Sequence, residues 1–331
     1  MRLRGVELAA LAVTAVMVLV IGALVSRQSD PASGAAVRTS VTVTASASAS
    51  PSAEAGRSAP AGAVTGTEHT APASARPAPS ATGVPASGAG AAPRPGPGQR
   101  TLTMVNDLRQ TIWPAVAADP AHPVAATGWV LPPGASLTIV IPDHWDVRVW
   151  ARTGCLFDAA GNGHCVTGDC DGRFQCGRTW GAFPDTLAEF NLNAWDGMDF
   201  YDVSLVEGNN LPMWINTSGG RTPDRISPNG CVPAGCTRDA NASCPSVLQE
   251  LHNGAVVACR SACLAIGGDQ TCCLGAWASR AACNPASWPV DSAAVFKRAE
   301  PFAYSYVDDD ATSVLTCAGE CDYRITWGVS P

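Results

Sequence analysis

The stretch DFYDVSLVEGNNLPM, residues 199–213, sets the acids Asp199, Asp202 and Glu207 among aromatic and aliphatic side chains. Its leading run, DFYDVSLVE, is rich in β-branched and aromatic types and stops at Gly208 and a pair of asparagines, the pattern of a strand running into a turn. In an extended strand Asp202 and Glu207 have opposite parity, so both reach one face only if the backbone turns near Glu207. Runs of the same kind are TLTMV (101–105), SLTIVIP (136–142), DVRVWARTG (146–154), LAEFNLN (187–193), AYSYV (303–307) and YRITWGV (323–329). Short strands bounded by Gly, Pro, Asn or Asp predict an antiparallel sandwich or barrel.

Composition divides the 331 residues into unequal zones. Residues 1–30 begin with Arg2 and Arg4 and continue apolar from Gly5 to Ser26, broken only by Glu7. The apolar run is near the length of a membrane span and ends without a good small-residue cleavage site. An N-terminal anchor with the positive end in the cytoplasm, or a signal segment, is therefore expected, and either places the rest of the chain outside the cytoplasm. Residues 31–100 are almost wholly Ala, Ser, Thr, Pro and Gly, without Leu, Ile, Cys or any aromatic residue, and read as a disordered linker. Residues 101–331 hold all 14 cysteines and all ten tryptophans. At about 230 residues this part is long enough to bury a substantial core.

The folded part carries 24 acids against 13 basic residues, a formal charge of −11. Phosphate binding needs a positive surface, so nucleic acid is excluded as the main partner, and a membrane is approached only through the N-terminal segment. The even cysteine count downstream of an export signal points to disulfides. Zinc fits poorly, because His69, His122, His144, His164 and His252 are scattered and no CxxC pair occurs. No metal or cofactor is expected.

Between about 231 and 300 the cysteines become dense and strand patterns give way. PSVLQELH and AVVACRSACLAIG, the second stopped by glycine, read as short helices. This segment is expected to be a disulfide-rich insertion in the sandwich, and the seam between them a natural place for a cleft.

Taken in order, RVWARTGCLFDAAGNGHCVTGDCDGRFQC (148–176), TLAEFNL (186–192), DFYDVSLVEGNNLPM (199–213), CPSVLQEL (244–251), ACRSAC (258–263), CCLG (272–275) and AYSYVDDDATSVLTC (303–317) resemble the thaumatin family. The resemblance implies a mainly β, thaumatin-like antiparallel β-sandwich with a disulfide-rich insertion domain and an acidic inter-domain cleft. It also implies binding of β-1,3-glucans, with weak endo-β-1,3-glucanase activity in some members and antifungal activity in many. One bridge of the full family set is missing at both ends, at Leu108 and Gly328, and a second family cysteine is replaced by Glu300 while Cys321 is gained. The implied pairing is Cys155–Cys165, Cys170–Cys176, Cys231–Cys317, Cys236–Cys321, Cys244–Cys259, Cys263–Cys272 and Cys273–Cys283. In a loop-entropy picture a bridge across about 85 residues, such as Cys231–Cys317, contributes roughly 4 to 5 kcal/mol.

Carried over by motif, the ligand-binding cleft is Arg148, Glu189, Asp202, Glu207 and one of Asp309 or Asp310. Glu207 stands where aspartate is usual, and its extra methylene shifts the carboxylate by about 1.5 Å, which matters where positioning is exacting. Asp199 lies outside this set and reads as a solvated or strand-initiating residue. Glycoside hydrolysis needs one protonated and one ionised carboxyl group. Crowded acids beside an arginine supply both states, with Glu189 and Glu207, the longest-reaching, as the candidate catalytic pair. The expectation is an extracytoplasmic monomer that binds β-1,3-glucan or a related cell-wall polysaccharide, with the antifungal role that the resemblance implies. The alternatives are a weak endo-β-1,3-glucanase, and a protease or amylase inhibitor or membrane-perturbing defence protein presenting loops on a disulfide scaffold.

Overall fold

The computed structural model describes residues 93–221 and 237–330. The anchor or signal segment and nearly all of the linker lie outside the described residues, as do Cys231 and Cys236.

An eight-stranded sheet dominates, built from β1 (Gln99–Asn106), β2 (Trp113–Val116), β3 (Ser136–Pro142), β4 (Asp146–Arg152), β7 (Leu187–Trp195), β8 (Met198–Ser204), β9 (Met213–Arg221) and β12 (Leu315–Trp327). Their order is β2-β4-β7-β8-β12-β1-β3, with β9 also paired to β12. The short hairpins β5 (Leu156–Phe157) with β6 (Gly163–His164), and β10 (Gln249–His252) with β11 (Ala255–Cys259), stand apart from it. β12 makes the sheet fold over on itself. Its first residues, Leu315 to Ala318, pair with β8, whereas Tyr323 to Trp327 pair with β1 and β9. A bulge between Ala318 and Cys321 marks the change of direction. The β1–β12 pair is parallel; the other strand pairs of the sheet are antiparallel.

The core fills the fold. Tyr323 from β12 meets Phe190 of β7 at 5.0 Å and Tyr201 of β8 at 5.3 Å between ring centroids, both edge to face. Leu102, Met104, Trp145, Ile325 and Trp327 join the same buried cluster. β1 begins at Gln99, within the stretch read as linker, because Arg100 is drawn inside by charge. Its guanidinium ion-pairs with Asp143 and Asp199. Asp199 is therefore not a solvated residue. It is buried and also accepts hydrogen bonds from Tyr323 Oη and the Asn193 amide, both at 2.7 Å. A buried carboxylate needs such partners.

Several local readings change in the fold. AYSYV is not a strand; a single bridge joins Tyr304 to Ser204. PSVLQELH forms one 3-10 turn and then β10. The reason is Asn253-Gly254, both at positive φ, which closes a tight hairpin into β11. The helical part of AVVACRSACLAIG shrinks to α1 (Ala262–Ile266), capped by the Ser261 side chain and ended by Gly267. A longer helix, α2 (Ser292–Ala299), starts at Asp291, whose carboxylate caps the Ala294 amide at 2.8 Å. α3 is the single turn Asp310–Ser313.

Disulfides join Cys155–Cys165, Cys170–Cys176, Cys244–Cys259, Cys263–Cys272 and Cys273–Cys283. The remaining described pair is Cys317–Cys321, which corrects the implied Cys231–Cys317 and Cys236–Cys321 bridges. The β12 bulge brings these two half-cystines, four residues apart, to a Cα separation of 6.4 Å. So short a loop contributes roughly 2 kcal/mol in the loop-entropy picture, less than half the value for the long bridge. Backbone pairing fastens the cysteine-rich segment instead: Asn209 and Cys259 exchange hydrogen bonds of 2.8 and 2.7 Å.

Candidate functional site

Three strands build the floor of the site. Val147, Phe190 and Tyr201 are register partners facing the core, so their neighbours Arg148, Glu189 and Asp202 point to the opposite, outer face. There the register places Arg148 beside Glu189 and Glu189 beside Asp202, one row across β4, β7 and β8. The Arg148 Nε donates to Glu189 Oε1 in an ion pair whose two side chains keep 21% and 18% of their surface open. Asp202 is covered, with 1% exposure. Burial, reinforced by the neighbouring Glu189, holds its carboxyl well above the usual carboxylate range against the pull of Arg148. Asp202 forms the covered floor of the row.

Glu207 reaches this row by the turn that its parity demands. β8 ends at Ser204, and the Gly208 amide donates to Leu205 O at 2.9 Å, closing a turn around Glu207. Gly208, at φ +109°, is pressed so close that a Cβ would lie 2.5 Å from Cys259 O and 2.6 Å from the Pro184 side chain. The two asparagines lock the turn. Asn209 Nδ2 donates to Thr186 Oγ1 at 2.8 Å, and Asn210 Nδ2 donates to Ala151 O and Thr167 Oγ1, both at 2.9 Å. The Glu207 carboxyl is half-buried and pushed up by burial and by Glu189, with Arg148 opposing. It thus keeps its proton to a higher pH than a free glutamate.

The 303–313 segment forms another wall. Tyr304 pairs with β8 through Tyr304 N to Val203 O (2.8 Å) and Leu205 N to Tyr304 O (2.7 Å). Its hydroxyl donates to Asp310 Oδ1 at 2.7 Å, and burial together with Asp202 and Glu189 pushes that phenol well up. Asp310 also ion-pairs with Arg280, from the cysteine-rich segment. Asp309 turns elsewhere: it accepts from Ser305 Oγ at 2.7 Å and pairs with Lys297 Nζ at 2.7 Å. Of the two aspartates, Asp310 bears on the acid row through Tyr304, and Asp309 fixes the wall.

Phe190, Phe200, Tyr201, Trp214 and Tyr304, the aromatics nearest the candidate acids in sequence, are all buried. Trp180 and Phe183 were not singled out by sequence. These are 41% and 38% exposed, and the Trp180 ring lies against the Arg148 guanidinium at 4.1 Å from Cζ to centroid. The available signal was two large aromatics in the loop CGRTWGAFPD (176–185), where nothing in the alternation of a strand requires them. Among the described residues no group of His, Cys, Asp or Glu is arranged to hold a metal ion.

In chemical terms the site offers an arginine-paired carboxylate, a proton-holding carboxyl and an exposed indole around one row. Pathogenesis-related protein 5 of Arabidopsis thaliana is 45% identical over 225 residues, 68% of this chain and 88% of that protein. A Prunus avium protein named Glucan endo-1,3-beta-glucosidase is 40% identical over 230 residues, 69% of this chain and 89% of that protein. Among solved structures, the thaumatin-like xylanase inhibitor TLXI is similar at 23% identity and a TM-score of 0.37, over 68% of this chain and 97% of that one. Residues 106–329 match the Thaumatin family, and on that match and the identities to its plant relatives the chain belongs to the thaumatin family.

Proposed function

We propose that this protein works outside the cytoplasm and binds β-1,3-glucan or a related cell-wall polysaccharide on the Arg148–Glu189–Asp202 row. The observation that carries the reading is that row itself. Arg148 and Glu189 are held together by strand register and stay partly open, as donors and acceptors for sugar hydroxyls must be. The export segment supports the location, and about 70 linker residues would give a reach of roughly 45 Å. Among the described residues no helix is long and apolar enough to cross a membrane.

A second reading is hydrolysis. Burial raises the affinity of Glu207 for its proton, and Glu189 is paired with Arg148, which suits them as general acid and as base or nucleophile respectively. The name of the Prunus avium relative supports the same chemistry on the same ligand. In this reading Arg148 orients Glu189, and Asp202 beneath it adds no second negative charge while protonated.

Sedimentation of the full chain with insoluble β-1,3-glucan tests the first reading. Wild type is expected in the pellet, and Arg148→Ala and Glu189→Gln each to weaken retention about tenfold through loss of a charge-assisted contact. Retention of wild type and both variants alike would remove the row from the interaction. Reducing-sugar release separates the readings: release by wild type that disappears in Glu189→Gln marks a hydrolase, and binding without release marks a binder. Release undiminished in Glu189→Gln would refute the catalytic assignment.

A further inference from the structure

We infer that Trp180, flanked by Phe183, is a stacking platform for a sugar ring at the Arg148 end of the acid row. The inference rests on the glycan-binding reading and adds to it a subsite that selects for ring face and chain length.

Solvent exposure makes the case first. Large aromatics cost free energy when left in water, and most of the other tryptophans are packed inside, Trp145, Trp150 and Trp327 at 1% exposure or less. Trp180 and Phe183 stay out on the same short loop. The Arg148 contact places the indole beside the row, since the same guanidinium that faces the Trp180 ring donates through Nε to Glu189.

The loop is also held in place. Cys176 at its start is bridged to Cys170, the Thr179 amide donates to Cys176 O at 3.0 Å, and the Ala182 amide donates to Asp169 O at 2.9 Å. Gly181, next to Trp180, packs so tightly that a Cβ would lie 2.5 Å from Trp150 Nε1 and 2.7 Å from Asp185 Oδ2. At the far end the Thr186 amide donates to Asn210 Oδ1 at 3.1 Å. An exposed indole fixed on both sides in sequence costs little ordering when a ligand arrives.

The chemistry that fits is a pyranose whose substituents are equatorial. Such a ring presents axial C–H bonds on each face, and these pack on the indole while its edge hydroxyls remain free. In a β-linked gluco-oligosaccharide one ring would meet Glu189 and Arg148 by hydrogen bonds and a neighbouring ring would lie on Trp180. The acids then read hydroxyls and the indole reads the ring face. An axial hydroxyl blocks only the face from which it projects, so a galacto-configured or manno-configured ring could lie on the indole only by its other face.

The test is calorimetric titration of the full chain with a length series of soluble β-1,3-gluco-oligosaccharides, from disaccharide to hexasaccharide. Wild type should tighten as the oligosaccharide becomes long enough to reach from the acid row to Trp180. Trp180→Ala should lose that gain, about tenfold on the longer sugars, with little change on the disaccharide. Trp180→Phe should restore most of it, and unchanged thermal unfolding of both variants shows that the fold is intact. A length dependence identical in wild type and Trp180→Ala overturns the platform and leaves the acid-row reading standing. An equal loss at every length, disaccharide included, also overturns it, because Trp180 would then act only by positioning Arg148. Failure of wild type to bind any member of the series overturns both readings.

Discussion

At the scale of single residues, the turn at Glu207 and Gly208 links fold to site. Gly208 must be glycine on two counts, its positive φ and the backbone carbonyl that a Cβ would strike. Gly208→Ala is expected to cost about 2 to 4 kcal/mol, as backbone strain and overpacking combine. It should also move Glu207 off the row, so glucan retention should fall along with the melting temperature. An unchanged melting temperature would mean that the turn yields easily. The acids of DFYDVSLVEGNN, alike in sequence, have separate fates. Asp199 ties Arg100 and Tyr323 in the core, Asp202 is the covered member of the row, and Glu207 reaches it from a turn.

At the scale of elements, α2 ends in a buried carboxyl group where a family cysteine is absent. Glu300, its C-terminal cap, accepts a hydrogen bond from Thr237 Oγ1, and the Met213 amide at the start of β9 also bonds to it. Burial pushes its carboxyl up to about 8. A folded state that keeps a proton which the unfolded chain releases near pH 4.5 loses stability as pH rises from about 4.5 to about 8. The slope is at most about 1.4 kcal/mol per pH unit. Glu300→Gln should flatten that part of the curve and be more stable than wild type at pH 8 by several kcal/mol, measured by denaturant unfolding at both pH values. Parallel curves for the two proteins would show that Glu300 ionises freely. The β10–β11 hairpin teaches a different lesson: the Asn-Gly pair was present in the sequence, and apolar spacing suggested helix only because so short a run fits either period.

At the scale of the whole molecule, β12 joins the two halves of the sheet, and its bulge determines the bridge pattern. With Cys317 bonded to Cys321, a non-reduced digest should release both in one short internally bridged peptide, lighter by two hydrogens than its reduced form. A disulfide from either residue to any other peptide would contradict this pairing. Among the described residues the cysteine-rich segment is attached by the Asn209–Cys259 backbone pair, by the Asn241 side-chain amide that donates to Asn210 O at 2.8 Å, and by the Lys297–Asp309 and Arg280–Asp310 ion pairs. With these contacts distributed along it, the segment is expected to unfold together with the sheet.

Sequence by itself determined the β character, the strands around 101–105, 136–142, 146–152 and 187–193, and the motifs by which the family is known. These are properties of alternation, turn chemistry and local composition, which act over a few residues. It also carried the candidate acids, because their motifs are contiguous. Tertiary structure alone decided which acid is buried, which of Asp309 and Asp310 meets Tyr304, where Cys317 bonds, and that Trp180 stands against Arg148. Each of those depends on the register between strands distant in sequence and on what covers the outer face of the sheet. Spacing along the chain does not encode such contacts, since burial and charge pairing are set by neighbours that only folding brings together.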